Sequence, residues 1–423
     1  MNILITDYYC ASNRGDAAIL EGLRDSLGAV YPDANITVMT EHPRAAELIH
    51  GIDVVEQVLA GFQWTVSRKN VARAYLSLTR PLYDRGLTPP GFGCIEERGK
   101  IQPYLDADVV VSTGGHHLTD VYFPDKVGVL WEQHFLARLG TPVVIYAQTL
   151  GPFDHSPYRR MTRAVLNEAE LIITRDKRSK EIVMDLDVST PVRWTADAAF
   201  SMTDRTERET PIDHLRDPLP DVQETTVSIS VREWKHTDED TTVDDYVLAV
   251  ANLADWLVGE KDVNVVFAST CTGLAGYHND DRLIAARAVD AMEHGEHDAV
   301  RILTGEYTPR QLVETYRQMD LHVGMRMHSN ILAMMAETPV VAIQYQFKTE
   351  GLMEQFDLLD YVIDVNDVTG GSLRRIVADA FDERDSLSDA IAAALPGVRQ
   401  ASRRSARLVK KHVGDPTVDG TRG

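Results

Sequence analysis

Val323-Gly-Met-Arg-Met-His-Ser-Asn-Ile-Leu-Ala-Met-Met-Ala-Glu-Thr-Pro-Val-Val-Ala-Ile-Gln-Tyr-Gln-Phe-Lys348 is the stretch from which the fold is read. The apolar run from Met319 to Gly324 reads as a strand, Ser329 to Ala336 has helical apolar spacing, and Pro339 to Ile343 reads as the next strand. A strand-helix-strand unit of this kind belongs to a parallel sheet, and it gathers Arg326, His328 and Lys348 at one sheet edge. In open parallel α/β sheets ligands bind beyond the carboxyl ends of the strands, and a helix N-terminus there offers unpaired N–H groups that favour an anion. The segment predicts an anion site with a candidate acid/base, His328.

The same alternation extends through the chain. In the first half, strands are expected at Asn2 to Thr6, Ile36 to Thr40, Val109 to Ser112, Val143 to Ala147 and Leu171 to Thr174. Helices are expected at Asp16 to Leu27, Val129 to Leu139 and Arg159 to Glu168. In the second half, strands fit Thr226 to Val231, Val263 to Ala268, Val300 to Leu303 and Tyr361 to Asp364, with helices at Thr242 to Val258, Asp280 to Met292 and Pro309 to Gln318. The chain turns polar and proline-dotted between Thr203 and Glu224, which reads as a linker. The reading is therefore α/β, with two doubly wound, Rossmann-like domains facing a cleft. These are an N-terminal domain at 1–205, a linker at 206–224, a C-terminal domain at 225–395, and a helix with a flexible tail at 396–423. Arg68 to Gly99, with Pro81, Pro89, Pro90, Gly91 and Gly93, breaks the pattern and reads as a loop or partly helical excursion.

At 423 residues the chain exceeds what one core usually supports. It has 64 acidic residues against 43 Lys and Arg, a formal charge of −21, and only ten lysines. Such a field repels polyanions, so nucleic acid is excluded as a partner. An acidic, lysine-poor surface is also the one expected of a halophilic-type protein working in high salt, where repulsion is screened; the alternative is an ordinary acidic enzyme. No apolar run reaches membrane-spanning length and the start has no signal-peptide pattern, so the expectation is a cytoplasmic protein without direct membrane insertion, with a homo-oligomer left open. Three widely spaced cysteines, Cys10, Cys94 and Cys271, form neither a disulfide framework nor a zinc cluster, and no metal or other cofactor is expected.

Several turns carry chemistry. Ser12-Asn13-Arg14-Gly15-Asp16 follows the first strand without the GxGxxG dinucleotide fingerprint; Asp16 is read as capping or starting the helix, which leaves Asn13 for a ligand. Gly114 and Gly115, followed by His116 and His117, let a ligand or another backbone approach closely. Gln148, in Tyr146-Ala-Gln-Thr-Leu-Gly-Pro152, and Asp197 are placed at the cleft. Asp197 either orients a sugar hydroxyl, supports a basic residue, or merely caps a turn. Arg232 ends a buried strand, where its guanidinium requires an anion; it either pairs with a carboxylate or joins Arg326 in a clamp on a doubly charged ligand.

In order, Asn13-x-Gly15-Asp16, Gly114-Gly115, Gln148-x-x-Gly151-Pro152, Asp197, Arg232 and Arg326-x-His328 through Lys348 resemble the polysaccharide pyruvyl transferase family, over most of the chain. The resemblance implies a GT-B-like architecture and transfer of enolpyruvate from phosphoenolpyruvate to a sugar of a cell-surface polysaccharide or its lipid-linked precursor. The product is a pyruvyl ketal, and phosphate is released. It also implies roles. Arg232, Arg326, Met327 and Lys348 would bind phosphoenolpyruvate, His328 would be catalytic, and Asn13, Asp16, Gly114, Gly115, Gln148 and Asp197 would line the acceptor side. An imidazole, with an ordinary pKa of about 6.5, can move protons either way near neutrality.

Two alternatives stand beside this. A glycosyltransferase of the same architecture would use a nucleotide sugar, with Phe347 and Glu350 as base-stacking and ribose-binding groups. A non-catalytic sugar-binding member of an envelope-glycan assembly complex would keep the fold without needing Arg232, Arg326 and His328 together.

Overall fold

A computed structural model describes residues 1–57, 102–121, 127–138, 140–203, 225–233 and 242–414. The proline-rich excursion at 68–99, the linker at 206–224 and Cys94 lie outside the described residues.

The first half supplies strands β1 (Asn2–Tyr8), β2 (Asn35–Thr40), β3 (Val55–Glu56), β4 (Val109–Ser112), β5 (Val143–Gln148), β6 (Leu171–Thr174) and β7 (Val192–Trp194). They form a parallel sheet in the order β3-β2-β1-β4-β5-β6-β7. Helices α1 (Arg14–Val30), α2 (Pro43–His50), α3 (Gln102–Asp106), α4 (Val127–Arg138), α5 (Ser156–Leu166) and α6 (Lys177–Met184) lie between them. The second half supplies β8 (Thr226–Ser230), β9 (Asn264–Phe267), β10 (Val300–Ile302), β11 (Leu321–Gly324), β12 (Val340–Gln344) and β13 (Val362–Asp364), in the order β10-β9-β8-β11-β12-β13. Its helices are α7 (Val243–Gly259), α8 (Asp281–Asp290), α9 (Pro309–Tyr316), α10 (Met327–Met335), α11 (Phe347–Glu354) and α12 (Gly370–Asp382). Helix α13 (Arg384–Val413) follows.

Both sheets are doubly wound, as expected. The winding reverses between β1 and β4 in the first and between β8 and β11 in the second, with Ile3 beside Val109 and Ile229 beside Val323. The crevice at such a reversal is open at the strands' carboxyl ends, which is why ligands bind there. The strands read as nearly continuous apolar runs because helices cover both faces; β4, β5, β6 and β8 are buried along their whole length.

The two carboxyl edges face each other and touch, with α1 between them. Arg14 N donates to Thr270 O at 2.7 Å, and Asn13 forms an isolated antiparallel bridge with Cys271. The Arg14 guanidinium, 1% exposed, pairs with Glu306 of the second half and donates to Tyr307 O at 2.5 Å. Arg310 of α9 reaches back to Glu21 and Asp25 of α1 at 2.9 and 3.2 Å.

The tail boundary at 396 is corrected. One helix, α13, runs through Pro396, with Leu387, Ile391 and Leu395 in the second core and Ala406, Leu408 and Val409 in the first. A straddling helix of this length continues because both of its ends bury apolar side chains. It also begins at Arg384, earlier than the segment at 396–423 set apart in the sequence.

Candidate active site

The β11–α10 turn places the central residues. Arg326 is the N-cap, with extended backbone and no side-chain hydrogen bond closing the helix start. The helix therefore begins at Met327, two residues before the position read from apolar spacing; Arg326 O accepts from Ser329 N at 2.9 Å, and the Arg326 side chain caps none of the first-turn N–H groups. Buried His322 of β11 fixes this turn from below, with Nδ1 2.9 Å from Ser228 Oγ and Nε2 3.0 Å from Ser329 Oγ. Burial pushes its pKa down to about 3, so it stays neutral.

His328 meets the first half directly. A β-carbon on Gly15 would lie 2.5 Å from its Nδ1 and 2.6 Å from its Cγ, so only glycine leaves room for the ring. His328 Nε2 lies 3.4 Å from Asp197 Oδ2, an ion-pair separation longer than a normal charge-assisted hydrogen bond. Asp197 in turn accepts from Arg175 Nη1 at 2.7 Å and from Ala199 N at 2.9 Å. Burial alone would raise the Asp197 pKa, but the Arg175 guanidinium and then His328 outweigh it and hold the carboxyl far below the usual range. Ser402 of α13 donates to Asp197 O at 2.7 Å and locks this turn in place. Asp197 thus caps a turn and supports basic residues at once.

Arg326 is not an open fork. Its Nε and Nη2 donate to Asp281 Oδ2 and Oδ1 at 2.5 and 2.6 Å, leaving Nη1 as the nitrogen that Asp281 does not engage. Burial would lower the Arg326 pKa, yet the Asp281 carboxylate more than offsets it and the guanidinium stays charged. A two-armed grip by Arg326 on a ligand is corrected accordingly. Met327 is corrected as well. Its side chain is 4% exposed and packs in the core, so the site receives only its backbone.

Arg232, just past β8, donates from Nη1 to the Tyr345 hydroxyl and from Nε to Glu233 O at 3.0 Å, with its guanidinium carbon 4.4 Å from the Tyr345 ring centroid. Lys348 Nζ lies 5.2 Å from the same centroid. Arg232, Arg326 and Lys348 follow β8, β11 and β12, which are neighbours in the sheet, so three cations share one carboxyl edge.

On the facing edge, the expected ligand residues are more structural. Asn13, not Asp16, caps α1, accepting from Gly15 N at 3.0 Å; Asp16 is the third helical residue. Asp16 adds its charge to the larger effect of burial in raising the pKa of Tyr9, to about 12, and of Tyr277. Gln148 is fully buried, donating to Ser112 Oγ at 2.6 Å and Thr113 O at 2.9 Å, so it braces the β4 end and does not line the cleft. Gly114 has Ala147 O close by, and Gly115, at φ +140°, bridges to Gln148. His116 Nε2 sits 2.6 Å from Gly151 O, and burial followed by the Lys348 charge pushes its pKa down to about 3. Its ring meets Phe347 edge-on at 6.1 Å. Phe347 therefore already packs against the facing loop, and Glu350 is exposed.

Asp281, Arg175 and Tyr345 are the participants the sequence reading missed. Arg175 directly follows β6, so the carboxyl-edge argument applied to Arg232 would have found it. Tyr345 lies inside the quoted segment. Asp281 reads only as a helix-start acid.

Residues 13–346 match the family described as polysaccharide pyruvyl transferase. The chain belongs to the polysaccharide pyruvyl transferase family. The amylovoran biosynthesis protein AmsJ of Erwinia amylovora, a curated relative, is 27% identical, over 98% of this chain and 100% of that protein. Among solved structures, a putative UDP-N-acetylglucosamine 2-epimerase from Listeria monocytogenes superposes with a TM-score of 0.62 at 13% identity, covering 99% of this chain and 97% of that one. A UDP complex of S. aureus MnaA gives 0.60 at 12% identity, covering 97% and 96%. At such identities the likeness concerns the fold, which is GT-B-like. This pyruvyl transferase family member has no helix, among the described residues, long and apolar enough to cross a membrane.

Proposed function

We propose that the protein transfers the enolpyruvyl group of phosphoenolpyruvate to a sugar of a cell-surface polysaccharide or its precursor, forming a pyruvyl ketal and releasing phosphate, in the cytoplasm. The observation carrying this reading is the convergence of Arg232, Arg326, Lys348 and the uncapped start of α10 on one sheet edge, with His328 between them and the facing Gly15 turn. Phosphoenolpyruvate bears a phosphate and a carboxylate, and such an edge complements both. Membership of the family and the likeness to a biosynthesis protein named for amylovoran support a glycan acceptor.

In this reading the donor anions lie against Arg232, Lys348, Arg326 Nη1 and the α10 N-terminus. His328, steadied by Asp197 and Gly15, moves a proton between an acceptor hydroxyl and the donor methylene. Ligand-induced stabilisation, measured in several-molar KCl, tests the donor, since binding to the native state raises stability by RT ln(1 + [L]/Kd). Stabilisation by phosphoenolpyruvate that disappears in Arg326→Ala, with phosphate released when a sugar acceptor is added, is expected. Stabilisation by nucleotide sugars alone would overturn the reading.

A further inference from the structure

We infer that Tyr345 is a second proton-transfer residue of this site, holding a proton beside the donor's phosphate and giving it to the phosphate as it leaves. The inference rests on the phosphoenolpyruvate reading and adds a catalytic group to it.

The geometry begins with strand order. Tyr345 follows β12, and β12 and β8 flank β11, so its phenol lies at the same edge as Arg232 and Arg326. Arg232 Nη1 donates to the phenolic oxygen, and the guanidinium carbon is also within 4.4 Å of the ring centroid. Lys348, one turn further on, brings its Nζ to 5.2 Å from the centroid of the same ring. One guanidinium therefore engages the phenolic oxygen while an ammonium stands beside the ring, an environment that stabilises the anionic form of the phenol. Around it stand Arg232 from the β8 end, Arg326 with its Asp281 partner, and Lys348 of α11. Tyr246 of α7 stays protonated through burial, and His116 of the facing half, within reach of the Lys348 charge, stays neutral. Burial would raise the Tyr345 pKa, but Arg232, Lys348 and Arg326 outweigh it and bring it down to about 7. An incoming dianion beside the same cations opposes the phenolate, so donor binding draws a proton onto Tyr345.

Ketal formation needs such a group. Two sugar hydroxyls lose protons, two C–O bonds form at the donor's central carbon, and the double-bond electron pair takes one proton at the methylene to make the methyl. The bond to phosphate breaks with its electron pair on oxygen, and the second proton ends on that oxygen as hydrogen phosphate. His328 serves the methylene. With the donor's phosphate taken to lie against Arg232 and Lys348, Tyr345 gives its proton to the departing oxygen and is restored by the second hydroxyl.

The test is a near-ultraviolet titration of the intact protein, with and without phosphoenolpyruvate, followed by the pH profile of phosphate release. Eight other tyrosines have raised pKa values, so a single ionisation near pH 7 stands apart from them. It is expected in the wild type, absent from Tyr345→Phe, and shifted upward by phosphoenolpyruvate. Tyr345→Phe keeps the ring beneath Arg232; it is expected to retain donor-induced stabilisation while turnover falls at least tenfold and the alkaline limb of the profile moves. Absence of the neutral ionisation from the wild type, or a Phe variant with wild-type turnover and profile, overturns the inference. A wild type that shows the ionisation but releases no phosphate overturns the donor reading itself, and with it the transfer role, on a separate observable.

Discussion

The imidazole of His328 rests on the backbone of Gly15, so the two halves of the molecule meet at one ring and one glycine. Any side chain at position 15 would overlap the ring by about an ångström and displace it from Asp197. A displacement of that size can cost on the order of a hundredfold in rate. Gly15→Ala is expected to fold, to keep phosphoenolpyruvate-induced stabilisation, and to lose roughly that factor in phosphate release. Turnover within twofold of wild type would show that the ring's placement is not critical.

Asp197 ties His328 to Arg175 and thence to the first sheet. Asp197→Asn keeps the shape and the Ala199 contact but removes the charge facing both basic groups. Phosphate release is expected to fall about a hundredfold, because the imidazolium formed during transfer loses its counter-charge. Because Arg175 is left buried and unpaired, stability should drop as well, by about 3 kcal/mol. Restoring stability with Arg175→Met in the double variant, without restoring turnover, would separate the two effects in a denaturation and kinetic comparison.

Much of this arrangement was legible in the sequence, and the part that was not has a physical reason. The β8, β11 and β12 strands announce themselves as short apolar runs, and a parallel sheet puts whatever follows them at one edge; Arg232, Arg326, His328 and Lys348 were found that way. Pairing across the molecule has no such signature. Nothing near Asp281 in sequence says that its carboxylate meets Arg326, 45 residues away, nor that Arg14 crosses to Glu306. Asn13 and Gln148 were misassigned for a related reason: polar side chains at strand ends look alike in sequence whether they satisfy the local backbone or face a ligand. The segment set apart at 396–423 holds only the later part of α13, because the packing that carries this helix through Pro396 is tertiary and leaves no local signature.

The Asp281 carboxylate, 2% exposed, engages two of the three guanidinium nitrogens of Arg326. Asp281→Asn leaves that guanidinium buried with a weaker partner, so a loss of about 3 kcal/mol is expected in denaturant unfolding. Bound phosphoenolpyruvate then supplies the missing negative charge. Its stabilising effect, measured as a shift in Tm at saturating concentration, should be larger in Asp281→Asn than in the wild type. An equal or smaller shift would place the donor away from Arg326.

Acidification should act on buried titratable groups in opposite directions. His116 and His322 have folded pKa values of about 3, well under the ordinary value of about 6.5 for unfolded histidine. Between those limits the unfolded chain binds more protons, so each histidine contributes stability that is lost as pH falls below about 6.5. At pH 5.5 the loss is roughly 1 kcal/mol per histidine. Glu132 behaves oppositely. Burial first, and then Asp7, raise its pKa to about 8, while Tyr104 and Gln57 donate to it. Folded Glu132 therefore keeps its proton where the unfolded chain has lost it, and stability falls as pH rises from its ordinary value of about 4.5 through 8. The two trends offset each other in the wild type. Glu132→Gln imitates the protonated carboxyl at every pH and removes one trend, so it should be at least as stable as wild type at pH 7.5. On going to pH 5.5 it should lose roughly 2 kcal/mol while the wild type changes little, as read from urea midpoints at the two pH values. Parallel behaviour of the two proteins would mean that Glu132 is ionised in the folded state.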